Sequence, residues 1–202
     1  MLQRPFEATN AFLDLDADNQ TRRAIEKTMV AQAKPLARRQ HLHGGFVLCI
    51  VLENGHAGVQ GIVASRLVEA EGRPTIVLTP GMESGTLSGS MRSIPGVDAK
   101  MLLDRVNAAL PHVMLRYGGH TGACGMTIRQ AALAEFSREL QEIYCSEYAD
   151  VGPKPQFLVD GELLPEQFSV PWIEQVEALR PFGLGFDHPR LVGLVHAVSA
   201  RH

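Results

Sequence analysis

Apolar positions along the chain follow two rhythms. Two short runs are apolar without interruption, FVLCIVL over 46–52 and TIVL over 75–78. Runs of that length, rich in β-branched residues, suit strands buried on both faces. Between them Val59, Ile62, Val63, Leu67 and Ala70 mark one face of a helix. Strand, helix, strand at this separation predicts a βαβ unit with parallel strands and a right-handed crossover. Helical spacing also predicts a helix over 19–34, with Asn19 as N-cap, Ile25, Met29 and Ala33 on its apolar stripe and Pro35 near its end. Further on, Asp98 can cap a helix carrying Leu102, Leu103, Val106, Ala109 and Leu110, and a long helix shows Leu133, Phe136, Leu140 and Ile143 on one face. HVMLRYGG (112–119) and GACGMTI (122–128) predict strands, and the Gly- and Ser-rich stretch 81–91 predicts a loop or an irregular edge strand.

Pro153 and Pro155 mark a boundary. Beyond it come a short strand (FLVD, 157–160), a helix near 171–179, the turn PFGLGFDHP and a last apolar stretch, LVGLVHAV. The predicted fold is α/β: a mixed sheet with a parallel βαβ core and flanking helices, plus a short C-terminal α/β extension. It divides into a connecting helix region (1–40), a main domain (41–150) and the extension (151–202).

Composition narrows the chemistry. The 202 residues are 45% hydrophobic and carry a net charge of -3, so a polyanion would be held by a local cluster and not by a basic surface at large. Three cysteines without C-x-x-C spacing argue against a disulfide framework and a zinc site. With no apolar leader in MLQRPFEATN and no apolar run long enough to span a bilayer, a cytoplasmic protein without a membrane partner is expected. Asp14, Asp16 and Asp18 imitate a calcium loop, but Asn19 and Ile25 stand where Gly and Glu are needed, leaving a solvated acidic turn. His41 and His43 read as a solvated connector.

Three glycine-rich places stand at predicted strand ends. In Gly55-His56-Ala57-Gly58, a helix N-terminus and His56 offer donors to an anion; the plainer alternative is a tight turn. In Ser88-Gly89-Ser90-Met91-Arg92-Ser93-Ile94-Pro95-Gly96, the Arg92 fork matches phosphate oxygens, with Ser90 and Ser93 hydroxyls beside it; the alternative is a solvated loop arginine. Gly118-Gly119-His120-Thr121-Gly122-Ala123-Cys124-Gly125 brings bare backbone close to something, either a ligand or a packing neighbour. Arg116 is a further phosphate candidate or simply the polar side of a strand. Cys124 near His120 lacks an orienting third group and reads as a small core residue. No DHH sequence and no carboxylate cluster at strand ends is present, so no catalytic residue and no metal ligand is assigned.

In order, these segments resemble the C-terminal portion of RecJ-type single-strand DNA exonucleases of the DHH phosphoesterase superfamily. The resemblance rests on GHAGVQGIVASRL (55–67), GRPTIVL (72–78), RSIPG (92–96), LRYGGHTGACG (115–125), DGEL (160–163) and LRPFGLG (179–185), with NQTRRAIE (19–26) similar to the end of the family's connecting helix. Met91, Ser88 and Gly55 depart from the family's usual Gly, Lys and Trp, and Phe186-Asp187 from Asn-Pro. The resemblance implies a DHH-associated domain followed by the start of an OB-like domain. It places Arg92, Ser93 and His120 at a phosphate-binding surface, supported by Ser90, Gly118, Gly119, His56 and Arg66. It implies single-stranded DNA as ligand and, for the cleaving half, Mn²⁺ or Mg²⁺ in a DHH domain outside this sequence. Three functions are therefore expected to compete: the gripping half of a 5′-to-3′ single-strand DNA exonuclease; a module for short oligonucleotides or nucleotide phosphates; and a non-catalytic DNA-binding subunit that docks on a separate DHH-domain protein.

Overall fold

The computed structural model describes residues 5–148, 150–151, 159–183 and 185–193, and the chain divides into two compact units, 1–154 and 155–202. The first unit begins with a 38-residue helix, α1 (Pro5–Leu42), followed by β1 (Leu48–Val51), a 3-10 turn over Ala57–Val59, α2 (Gln60–Glu71), β2 (Thr75–Pro80) and β3 (Thr86–Arg92). It continues with α3 (Ala99–Ala109), β4 (Met114–His120), β5 (Ala123–Arg129) and α4 (Leu133–Glu147). The strands form one mixed sheet in the order β1-β2-β3-β5-β4. Only β1 and β2 are parallel; the other neighbours are antiparallel. The α/β class with a parallel βαβ core is thus as the sequence predicts.

Each sheet face has its own core. On one face α3 and α4 bury Leu102, Leu103, Val106, Phe136, Leu140 and Tyr144 against Ile76, Leu78, Leu87, Met91, Met126 and Ile128. On the other, α1 and α2 bury Met29, Ala33, Ala37, Val63 and Leu67 against Leu48, Ile50 and Val77. The second core reaches no further than β2. Alternation along a strand therefore leaves the α2-side face of β5 and β4 without a helix above it among the described residues, while β3 is overlaid in part by the first turn of α2.

Four local expectations are corrected. The first helix does not start at Asn19 or stop at Pro35. It runs from Pro5 to Leu42, with Pro35 inside it. Proline removes one internal hydrogen bond, but Ala33 and Ala37 are fully buried on either side of it, and that packing carries the helix across. The acidic turn is likewise helical surface, where Asp16 accepts a hydrogen bond from Gln20. His41 is no solvated connector: its Nδ1 pairs with Glu71 of α2. Of the stretch 81–91, residues 81–85 are loop as expected, but 86–91 are no edge, because they belong to β3, the central strand of the sheet. Its glycine and serine content suits that place: a Cβ on Gly89 would lie 2.6 Å from Leu78 Cδ2, so glycine lets β3 pack beneath the α3–α4 core.

Asp98 caps α3 as expected, accepting from the Met101 N–H at 3.0 Å. Its other carboxylate oxygen accepts from the Thr121 hydroxyl in the β4–β5 turn at 3.0 Å. The Met101 N–H first, and then the Thr121 hydroxyl, hold Asp98 below the usual carboxylate range against the opposing effect of desolvation. A lowered folded-state pKa stabilises above the unfolded value of about 3.9 and ceases to do so as pH falls through the folded value. Asp98→Ala is therefore expected to lower the melting temperature at pH 7, with the gap to wild type narrowing below about pH 4. Melts of both proteins from pH 7 to pH 3 check this, and a gap independent of pH would refute it.

In the second unit β6 (Gly161–Glu162) pairs in parallel with β7 (Leu191–Val192), and α5 spans Val170–Glu177. The strand expected over 157–160 falls partly outside the described residues; Val159 and Asp160 are not strand. Of the last apolar stretch, only 191–193 is described.

Candidate functional site

The open half of the sheet is a grid of three cross-strand rows. Arg92 of β3, Ala123 of β5 and His120 of β4 form the first row; Ser90, Gly125 and Gly118 the second; Ser88, Thr127 and Arg116 the third. With strands about 4.8 Å apart and rows about 7 Å apart, the grid measures roughly 10 by 14 Å. All nine residues share the face that α3 and α4 do not cover, because Leu87, Met91, Cys124, Met126 and Ile128 alternate with them into the opposite core.

Arg116 reaches this face through a bulge. Met114 pairs with Ile128 but Arg116 with Thr127, so two steps on β4 match one on β5. Without the extra residue Arg116 would point the same way as Met114, into the core. Its side chain is 78% exposed, with the guanidinium 4.0 Å from Glu83, a surface pair of small energetic weight.

The middle row is bare backbone. A Cβ added to Gly118 or Gly125 would meet nothing within 4 Å, and neither glycine has a positive φ. Neither packing nor backbone geometry requires glycine there. Glycine weakens a strand and marks a place where something else can approach the main chain. Gly119 is different in kind. Its φ is +151°, and a Cβ would lie 2.2 Å from Ala123 O and 2.6 Å from Cys124 Cα. It shapes the turn that carries His120.

Above the rows stands the first turn of α2, fixed by a buried Gln60 that donates to Thr79 Oγ1 at 2.7 Å and Ser88 O at 2.8 Å. Ala57 and Gln60 border an open depression of about 420 Å³ floored by Ser88, Ser90, Gly125 and Thr127. Arg92 lies half-buried against α2, at the place a Gly61 side chain would take, 2.4 Å from Nη2. Among the described residues its one hydrogen bond goes from Nη1 to Met91 O at 2.9 Å. Among the described residues no carboxylate pairs with it, so its charge is available for an external anion. The hydroxyls of Ser88 and Ser90 likewise have no partner among the described residues.

His56 and His120 are prepared in the same way. His56 Nδ1 accepts from the Gly58 N–H at 3.1 Å, and His120 Nδ1 from the Gly122 N–H at 3.2 Å. A ring nitrogen that accepts from a backbone N–H carries no proton, so each neutral ring presents Nε2–H as an outward donor. A Cβ on Gly58 would lie 3.0 Å from His56 Cε1, so glycine leaves room for that ring, whereas one on Gly122 would make only ordinary contact with His120. His56 sits in the loop before α2, where its own N–H is held by Met29 Sδ at 3.3 Å.

The other expected residues fall in different roles. The Ser93 hydroxyl donates to Val97 O at 2.7 Å and its N–H to Gly122 O at 3.0 Å. With Ala99 N–H on Thr121 O at 2.8 Å, these bonds tie the RSIPG loop to the GGH turn, so the two motifs form one unit. Arg66 is not on the grid: it points toward α1 and pairs with Glu69 at 3.1 Å and Glu26 at 3.5 Å. Burial pushes the Cys124 thiol up, and Sγ donates to His120 O, which suits a core residue and not a nucleophile. Among the described residues no three His, Cys, Asp or Glu side chains group to hold a metal. Gln60 and Thr127 enter the site without having been singled out; hydrogen bonds across to Thr79 and Ser88 reveal the first and the cross-strand register the second.

Comparison with known proteins follows the same outline. The DHHA1 domain model matches residues 44–145, the stretch that contains the sheet and the grid. The single-stranded-DNA-specific exonuclease RecJ of Haemophilus influenzae is 31% identical over 91% of this chain, and that of Escherichia coli 33% identical over 93%. These matches cover 32% and 33% of the two relatives, so the chain spans about a third of their length. The crystal structure of Thermus thermophilus RecJ with Mn²⁺ superposes over 93% of this chain and 26% of its own, with a TM-score of 0.71 and 27% identity. The Mg²⁺ form of the same protein gives 0.69. Similar over nearly its whole length to one part of the RecJ exonucleases, this chain belongs to the DHHA1 domain family.

Proposed function

We propose that this chain is the substrate-gripping half of a RecJ-like 5′-to-3′ single-strand DNA exonuclease. The observation that carries the proposal is the open sheet face: the Ser90–Gly125–Gly118 row beside His120 and Arg92, which has no carboxylate partner among the described residues. A phosphate seated by Arg92 receives a planar fork of N–H donors. Ser90, His56 and His120 add neutral donors, and the glycine row lets the sugar-phosphate chain lie against the sheet. The grid's donors suit phosphate oxygens, so binding is expected to follow the backbone and not the base sequence. The described residues do not fit a catalytic Mn²⁺ or Mg²⁺; cleavage belongs to a DHH half, on the same or a separate polypeptide.

Fluorescence anisotropy with 5′-phosphorylated single-stranded DNA, with and without Mn²⁺, tests this. Salt-sensitive binding without cleavage is expected; absence of binding at low salt would overturn it. The glycine row supplies a second check. Gly118→Ala and Gly125→Ala should leave the melting temperature unchanged or slightly raised, since the space is open and alanine restricts the unfolded chain, yet weaken DNA binding. Unchanged affinity in both would remove the row from the interface. A depression of about 420 Å³ also has the size of a small-ligand site, which favours, as a second reading, a module for short oligonucleotides or nucleotide phosphates. Affinity that stops rising by two or three nucleotides supports that second reading.

A further inference from the structure

On the flank of α2 away from the grid, a groove of about 650 Å³ runs between α1 and α2. Its cations come from both helices: Arg22, Arg23, Lys27 and Lys34 from α1, Arg66 from α2. The floor is Val30 and Ile62, with Glu26 the one carboxylate in the lining. Glu26 is only 17% exposed and takes Arg22 at 3.6 Å and Arg66 at 3.5 Å. It thereby holds one arginine on each wall. Arg23, Lys27 and Lys34 have no ion-pair partner among the described residues. In a chain with net charge -3, five cations converging on one concavity create a local field opposite to that of the molecule.

We propose that this groove is a second polyanion track, taking the phosphate backbone of single-stranded nucleic acid beyond the part held on the grid. The lining cations extend from residue 22 to residue 34, about 18 Å of helix, and this linear spread matches a chain of repeating charges better than one compact anion. The groove's position also fits, because α2 separates the two surfaces: Gln60 and Gly61 face the grid and Arg92, while Ile62 and Arg66 face the groove. The inference rests on the proposed nucleic-acid function but concerns different residues.

The test compares the full chain with the triple variant Arg23→Ala/Lys27→Ala/Lys34→Ala, using oligo-dT of four and of twenty nucleotides across a salt series. All three positions are exposed, so matched melting curves are expected. The variant should bind the twenty-mer at least about tenfold more weakly, with its log Kd against log salt slope reduced by about 2, near 0.7 for each lost phosphate contact. Its affinity for the four-mer should not change. Arg92→Ala should weaken both lengths. An unaltered slope and affinity for the twenty-mer overturns the groove, whereas an inert Arg92→Ala overturns only the grid. Restoration of the slope by Arg23→Lys/Lys27→Arg/Lys34→Arg supports a charge effect. A labelled polyglutamate peptide that binds wild type and not the triple variant, with DNA affinity held, would overturn the proposal in favour of an acidic protein segment.

Discussion

Arg92→Ala is expected to weaken single-stranded DNA binding by about 10- to 100-fold, the range of losing charge-assisted hydrogen bonds of about 1.5–3 kcal/mol. The salt slope should fall by about 0.7, as for one phosphate contact on a single strand. Little stability should be lost with it. The guanidinium makes one hydrogen bond inside the chain, to Met91 O, and pairs with no carboxylate among the described residues, so the melting temperature should stay within about 3 °C of wild type. Arg92→Lys keeps the charge but not the planar fork and should fall between the two. Its long stem still has to occupy the space above Gly61. Anisotropy titrations at several salt concentrations, beside thermal melts, read both quantities. An Arg92→Ala protein that binds as wild type does would remove the centre of the proposed interface.

Gly119→Ala is expected to be the most damaging single methyl in the site. The added carbon would lie 2.2 Å from Ala123 O and 2.6 Å from Cys124 Cα, both backbone atoms in the neighbouring strand. Flexible side chains can move aside; a paired strand cannot do so without breaking the ladder. The φ of +151° adds strain for any L side chain. Together these should cost roughly 3 kcal/mol or more, a fall of about 6–12 °C in melting temperature for a chain of this size. The same melts on Gly118→Ala, one residue away, should show no such fall. Equal behaviour of the two variants would contradict the geometry of this turn. Loss of the turn also displaces His120 and the Thr121 and Gly122 carbonyls that hold the RSIPG loop. Gly119→Ala should therefore lose binding and stability together, whereas Arg92→Ala separates them.

Much of the fold is readable from local pattern. The continuous apolar runs become β1 and β2, and Asp98 becomes the cap of α3, because burial on both faces and capping leave marks within a few residues. The strand that departs furthest from its local pattern is β3. Its serines and glycines resemble a loop when taken singly, yet four of its residues, Ser88, Gly89, Ser90 and Arg92, have tertiary reasons to be there. Gly89 admits Leu78, and the other three face a half-open surface beneath the first turn of α2, where apolar side chains would be a liability. The first helix departs for the opposite reason. Pro35 is a strong local stop, and the burial of Ala33 and Ala37 against distant residues outweighs it.

The site divides along the same line. Arg92, Ser90, His56, His120 and the glycines are visible as residue types suited to anions, and their order along the chain points to the family. Position in the sequence could not separate the roles of Gly118 and Gly119, or show that Ser93 binds its own loop, that Arg66 faces α1 or that Arg116 depends on a bulge. Those facts follow from register, and register is set by which strands pair and which face is buried. Composition, periodicity and capping act over a few residues, so the sequence by itself determined the elements and the candidate chemistry. The side on which each candidate stands depends on contacts between segments far apart in the chain, and only the tertiary structure decided it.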